Sequence, residues 1–160
     1  MKPLTLAALG AAALLSVAAS RSPIVVTGAW TRPAPAGMTA AGYMTLVNRG
    51  RRNDALVGAS APWAASVQVH KSAMMGSMMT MRPVAALPLP AGGRARLAPG
   101  GYHLMIEGLK RPLKLGEQVP VVLKFRSGAP LRVELTVGEG PPAGGGHADA
   151  MSGGAMPGMK

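Results

Sequence analysis

The chain has 160 residues, enough for one domain of ordinary size, and a formal net charge of +11. These 160 residues contain no cysteine. This excludes thiol catalysis, disulfides and a lipid-modified cysteine within them, as well as blue copper, iron–sulfur and cysteine-ligated zinc sites. Aromatic residues make up only 3%, so we expect no nucleic-acid partner despite the charge. The unusual feature is the excess of methionine, with 12 residues, because a thioether is a soft metal ligand as well as a core filler.

Residues 1–20 have the composition of a secretory signal. Lys2 precedes an apolar run from Leu4 to Ala19, and Ser20 ends a short stretch of small residues that suits cleavage. The run is shorter than the about 20 residues that a membrane-spanning helix needs, although an uncleaved N-terminal anchor is the alternative interpretation. We predict export to the periplasm, removal of this segment and no stable membrane insertion afterwards.

Seven short runs rich in β-branched or apolar residues predict strands in the central part of the chain. Turns containing Gly, Pro or Asn separate them, and no stretch outside the signal has a clean helical period. Such a succession predicts an all-β fold, a Greek-key sandwich or barrel. The runs are Ile24–Val26, Tyr43–Val47, Ala55–Val57, Ser66–His70, Tyr102–Ile106, Val119–Phe125 and Leu131–Val137.

The predicted folded domain spans residues 21–137. Branched apolar residues stop at Val137, and residues 138–160 are rich in Gly, Pro, Ala and Met. Such a composition cannot bury enough apolar surface to fold alone. We therefore predict a flexible C-terminal tail.

Histidine and methionine occur together on the outward faces of the predicted strands. Because side chains alternate along a strand, His103 and Met105 share the face opposite their aliphatic neighbours. His70 also alternates with apolar residues and is predicted to point outward, while Met79 and Met81 share one face. Three segments therefore present His or Met away from the core, close to the surface.

Neutral imidazole and thioether donors favour Cu(I). Zinc sites usually include cysteine, carboxylates or three histidines, and thioethers have little attraction for Ca²⁺ or Mg²⁺. The alternative interpretation is an exported β-sandwich module without a metal. In that case the Met-rich stretch 74–81 would be a loop that contacts a hydrophobic partner. No nucleophile–base pair is present, so we expect no enzyme.

The spacing of these residues resembles the signature of the periplasmic PCuAC copper(I) chaperones. That signature is His, ten residues, Met, twenty-one residues and His-x-Met. Here residues 71–80 separate His70 from Met81, and residues 82–102 separate Met81 from His103-Leu104-Met105. The likeness covers about residues 24–137 and includes Gly28–Arg32, Ala41–Asn48, Met79–Val84, Leu97–Met105 and Gly108–Gly116.

The resemblance implies a cupredoxin-like β-sandwich or barrel that binds Cu(I) through His70, Met81, His103 and Met105. It also implies delivery of copper by ligand exchange to an acceptor protein, either a cytochrome c oxidase subunit with its CuA centre or another copper chaperone. We expect a monomer. The richness of the 74–81 stretch in methionine leaves open whether Met79 or a neighbouring methionine replaces one thioether ligand.

The tail repeats the same ligand types at His147, Met151, Met156 and Met159. We predict that these residues capture copper and raise its local concentration at the folded site. The alternative is a solubilising end whose methionines are incidental. Deleting residues 138–160 is expected to lower the copper stoichiometry or to slow loading, and unchanged titration and transfer kinetics would contradict this role.

Overall fold

Alternating buried and exposed residues form strands throughout the part of the chain that the computed structural model describes, residues 22–128 and 130–142. Over these residues there are ten strands, and no helix that is long and apolar enough to cross a membrane. The predicted signal and the four tail ligands lie outside the described residues. The strands are β1 (Ile24–Thr31), β2 (Ala40–Asn48), β3 (Asp54–Ser60), β4 (Ala64–Met75), β5 (Met78–Pro83), β6 (Leu87–Leu89), β7 (Arg94–Leu97), β8 (Tyr102–Leu109), β9 (Gln118–Phe125) and β10 (Leu131–Val137).

The strands form one sheet that closes on itself. Their order is β5-β4-β8-β7-β2-β1-β10-β9-β3-β6, and additional pairings join β4 to β3 and β8 to β2. The pairing of β3 with β4 closes the barrel, which leaves few unpaired strand edges. All seven predicted runs fall within strands, and the predicted all-β fold is confirmed. The short β6 and β7 and the strand β5 were not predicted.

Aliphatic side chains at alternate positions fill the interior of the barrel. Leu104 and Ile106 of β8 are fully buried, and Val69 of β4 faces the same core. Because successive side chains point to opposite faces, His70 and His103 project from the other side of the sheet. The core packing therefore determines the face on which both histidines lie.

The Met-rich stretch is a β-hairpin, and the expectation of a loop was wrong. Strand β4 continues to Met75, Gly76 and Ser77 form the turn, and β5 begins at Met78 directly opposite Met75. Gly76 has a φ of 63°, and two-residue hairpin turns favour glycine at this first position because it adopts positive φ without strain. Propensity missed β5 because Thr80 is its only β-branched residue.

Candidate metal centre

Three of the four predicted ligands lie on neighbouring strands at matching positions. His70 of β4 is directly opposite His103 of β8, and Gln68 is opposite Met105. Directly opposed residues share a face, as do residues two apart on one strand. His70, His103 and Met105 therefore project from the same side of the sheet. The ring centroids of His70 and His103 are 6.0 Å apart.

Met81 reaches the same face from the adjacent strand β5. It is opposite Ser72, which lies two residues beyond His70 on β4. Met81 and Met79 both line a depression of about 360 Å³, which agrees with their predicted common face. The other residues lining this depression are Thr39, Ala40, Ala41, Tyr43, Ser72, Pro99, Gly100, His103 and Met105.

The residues at this site differ in their exposure to solvent. His103 is only 4% exposed although it points away from the barrel core. Tyr43, Pro99 and Gly100 line the same depression as His103. Met81, by contrast, is 52% exposed. One imidazole is therefore covered, and one thioether is open to solvent.

The hydrogen bonds of the two imidazoles leave one nitrogen of each ring free. His103 Nδ1–H donates to the carbonyl oxygen of Gly101 at 3.2 Å, so Nε2 keeps its lone pair. His70 Nε2–H donates to Gln68 Oε1 at 3.3 Å. His70 Nδ1 is buried and has no hydrogen-bond partner among the described residues. Such a second-nitrogen bond to an oxygen is typical of metal-binding histidines, because it orients the ring.

We expect the metal-free protein to hold the two histidines as opposite tautomers. His70 should carry its proton on Nε2 and His103 on Nδ1, because their acceptors are on those sides. Long-range ¹H–¹⁵N correlation spectra, recorded where both rings are neutral, measure this directly. Gln68→Leu should remove the preference of His70 and leave His103 unchanged. The same tautomer in both rings of the unmodified protein would contradict the assignment.

A metal ion at this face would need sulfur ligands beside the two imidazoles. Within residues 22–128 and 130–142, no group of three or more His, Cys, Asp and Glu lies close enough to hold an ion. The carboxylate on this face of β8, Glu107, already accepts a hydrogen bond from Ser66 at 2.8 Å. Two imidazoles and nearby thioethers are the donors that suit Cu(I).

Comparisons with known proteins agree with the fold and with the resemblance. The family model for putative LpqE-like lipoproteins matches residues 24–137. The putative lipoprotein Lxx21020 of Leifsonia xyli subsp. xyli is 36% identical over 115 residues, which cover 71% of this chain and 69% of the relative. The 160 residues here contain no cysteine that could carry a lipid.

Solved structures of PCuAC domains have the same fold. Cu(I)-bound DR1885 from Deinococcus radiodurans is 39% identical with a TM-score of 0.60, covering 76% of this chain and 83% of that one. The copper-bound PCuAC domain from PmoF2 is 26% identical with a TM-score of 0.62, covering 72% and 92%. The predicted cupredoxin-like fold and the PCuAC resemblance are confirmed. The chain belongs to the LpqE-like family and has the fold of a PCuAC domain.

Proposed function

We propose that this protein carries Cu(I) as cargo and that His70, Met81, His103 and Met105 bind it. All four side chains are neutral donors, so the bound site keeps only the single positive charge of the ion. A carboxylate is not required for charge balance. Sulfur and imidazole together select a soft monovalent ion over Ca²⁺ and Mg²⁺.

The observation that carries this proposal is the buried Nδ1 of His70. It has no hydrogen-bond partner among the described residues, and its ring lies on the sheet face of His103. A buried polar atom without a partner costs about 1–3 kcal/mol, and coordination of an ion would remove that cost. Similar solved proteins include one with bound Cu(I) and one with bound copper, which supports copper as the ion.

The graded exposure of the donors suits transfer by ligand exchange. Met81 is open to solvent, whereas His103 is buried. An acceptor protein would therefore displace the thioether of Met81 first and the imidazole of His103 last. At each step the ion keeps protein ligands, so it is not released into water.

The family and the first twenty residues support a proposed compartment and a proposed acceptor. We propose residues 1–20 as an export signal, the periplasm as the place of function and a monomer as the carrier. The lipoprotein descriptions of the family and of the Leifsonia relative support an exported protein. The CuA centre of cytochrome c oxidase, or another copper chaperone, is the proposed acceptor, and the PCuAC resemblance supports this choice.

Anaerobic titration with Cu(I) against a chromogenic chelator tests the proposal. At one equivalent of copper, X-ray absorption should count two nitrogen and two sulfur neighbours around the ion. The copper should be retained through gel filtration and should pass to a competing acceptor on mixing. A protein that retains no Cu(I), or whose bound copper has only oxygen and nitrogen neighbours, would disprove it.

The exposed methionines of the β4–β5 hairpin favour a second candidate function. Large exposed apolar side chains often mark a surface that binds a partner. In this alternative the protein is an exported interaction module that docks an apolar partner and binds no metal. The copper titration separates the two, because the module should retain no Cu(I). The side chains concerned are Met74, Met75, Met78 and Met79.

A further inference from the structure

The β4–β5 hairpin carries four methionines beyond the candidate site. Met74 is directly opposite Met79, and Met75 is opposite Met78. All four side chains are between 57% and 70% exposed. The pairing of β4 with β8 ends at Lys71, so the tip of the hairpin extends past the barrel and its two strands pair only with each other. Among the described residues, no neighbouring strand therefore covers these four methionine side chains.

Two of these methionines share the face of the candidate site. Met79 lies two residues before Met81 on β5, so both point to the same side. Met74 is opposite Met79 and therefore joins them. Met75 and Met78 project from the other side of the hairpin. The tip thus has one methionine pair on the copper-site face and an equally exposed pair on the opposite face.

The pair Met74 and Met79 has the spacing and chemistry of a two-sulfur site. The Cβ atoms of directly opposed strand residues lie about 4.5–5.5 Å apart, and flexible methionine side chains can close on one ion from that separation. Residues 71–82 contain no Asp, Glu or His, so this segment offers a hard cation no carboxylate and no imidazole. Lys71 and Arg82 are opposite each other, and by alternation they point to the other face.

We infer that Met74 and Met79 form a second site for a soft monovalent ion, from which Cu(I) reaches the candidate copper site. Rows of side chains on this face are about 7 Å apart along the strands, and Met81 lies in the row between this pair and His70. The loading role rests on the proposed function. An ion held by both strands would also stabilise the tip, since an isolated hairpin is marginally stable in water.

The second site can be tested with the full chain labelled at its methionine methyl groups. This protein is titrated with Ag(I). Ag(I) is a soft monovalent ion that does not change oxidation state in the experiment, and NMR follows each methionine separately, including those of the tail. The methyl signals of Met74 and Met79 should shift together in one saturable step. Those of Met81 and Met105 should shift in a separate step. Unmoved signals of Met74 and Met79 at saturating Ag(I) would overturn the inference.

Matched double variants distinguish a built site from general thioether binding. Met74→Leu/Met79→Leu should abolish the tip step, and Met74→Leu alone, which changes no residue lining the depression at the candidate site, should abolish it and leave the step at Met81 unchanged. Met75→Leu/Met78→Leu, which removes equally exposed sulfurs from the opposite face, should leave both steps intact. Equal loss in the two double variants would overturn the inference. If the tip step occurs but Met81 and Met105 never respond, the second site stands and the proposed copper site fails.

The loading role has its own measurement. When Cu(I) is presented as a chelate, stopped-flow loading of Met74→Leu should be several-fold slower than that of the unmodified protein. Its final Cu(I) affinity should be unchanged, because Met74 lies outside the depression that the candidate ligands Met81, His103 and Met105 line. An unchanged loading rate would overturn the role of the tip in loading.

Discussion

His103→Ala is expected to cause the largest loss of Cu(I) binding of any single substitution in the protein. The variant removes a buried ligand whose Nδ1–H is fixed by the carbonyl of Gly101. Loss of an outer-shell partner typically costs about 10- to 100-fold in metal affinity, so loss of this ligand should cost at least as much. Competition with a chromogenic Cu(I) chelator under anaerobic conditions measures the change.

The same variant should also be less stable, which separates it from His70→Ala. Removing a buried side chain leaves a cavity and takes away one of the two hydrogen bonds that the Gly101 carbonyl accepts, at a cost of about 1–3 kcal/mol. His70 is only half-buried, and its Nδ1 makes no hydrogen bond with any residue that the structure describes, so His70→Ala should lose copper affinity with a smaller loss of stability. Chemical unfolding of both metal-free variants tests this difference. Unchanged Cu(I) affinity in either folded variant would exclude that histidine as a ligand.

Met81→Leu is expected to lower the Cu(I) affinity by about tenfold or more, equivalent to about 1.4 kcal/mol, without changing stability. Leucine keeps the apolar volume but has no sulfur, and Met81 is 52% exposed, so the substitution disturbs no packing in the core. X-ray absorption of the copper-loaded variant should show one sulfur neighbour fewer. Met105→Leu should have the same spectroscopic effect.

Met78→Leu is the matched control for this experiment. Met78 is on the same hairpin and is more exposed than Met81 (70% against 52%), but it projects from the opposite face. It should keep the full affinity and both sulfur neighbours. If instead Met79→Leu, and not Met81→Leu, removes a sulfur neighbour, the thioether ligand is Met79, which lines the same depression.

Local sequence patterns were sufficient to predict most of the strands. Alternation predicted that Leu104 and Ile106 face the core and that His103 and Met105 share the other side, and both are confirmed. These relations depend only on the two-residue period of a strand. The hairpin of the Met-rich stretch was missed because methionine has no strong preference for strands, so that only its pairing with β4 reveals β5.

Sequence alone therefore determined the chemistry of this protein: the absence of cysteine, the supply of imidazole and thioether, and the side of each strand on which those groups lie. Only the tertiary structure decided which strands meet. It set His70 opposite His103, covered His103 and left the Nδ1 of His70 without a hydrogen-bond partner in the described part of the chain. The reason is that side-chain alternation is a local property of the chain, whereas strand register and burial depend on contacts between segments more than thirty residues apart.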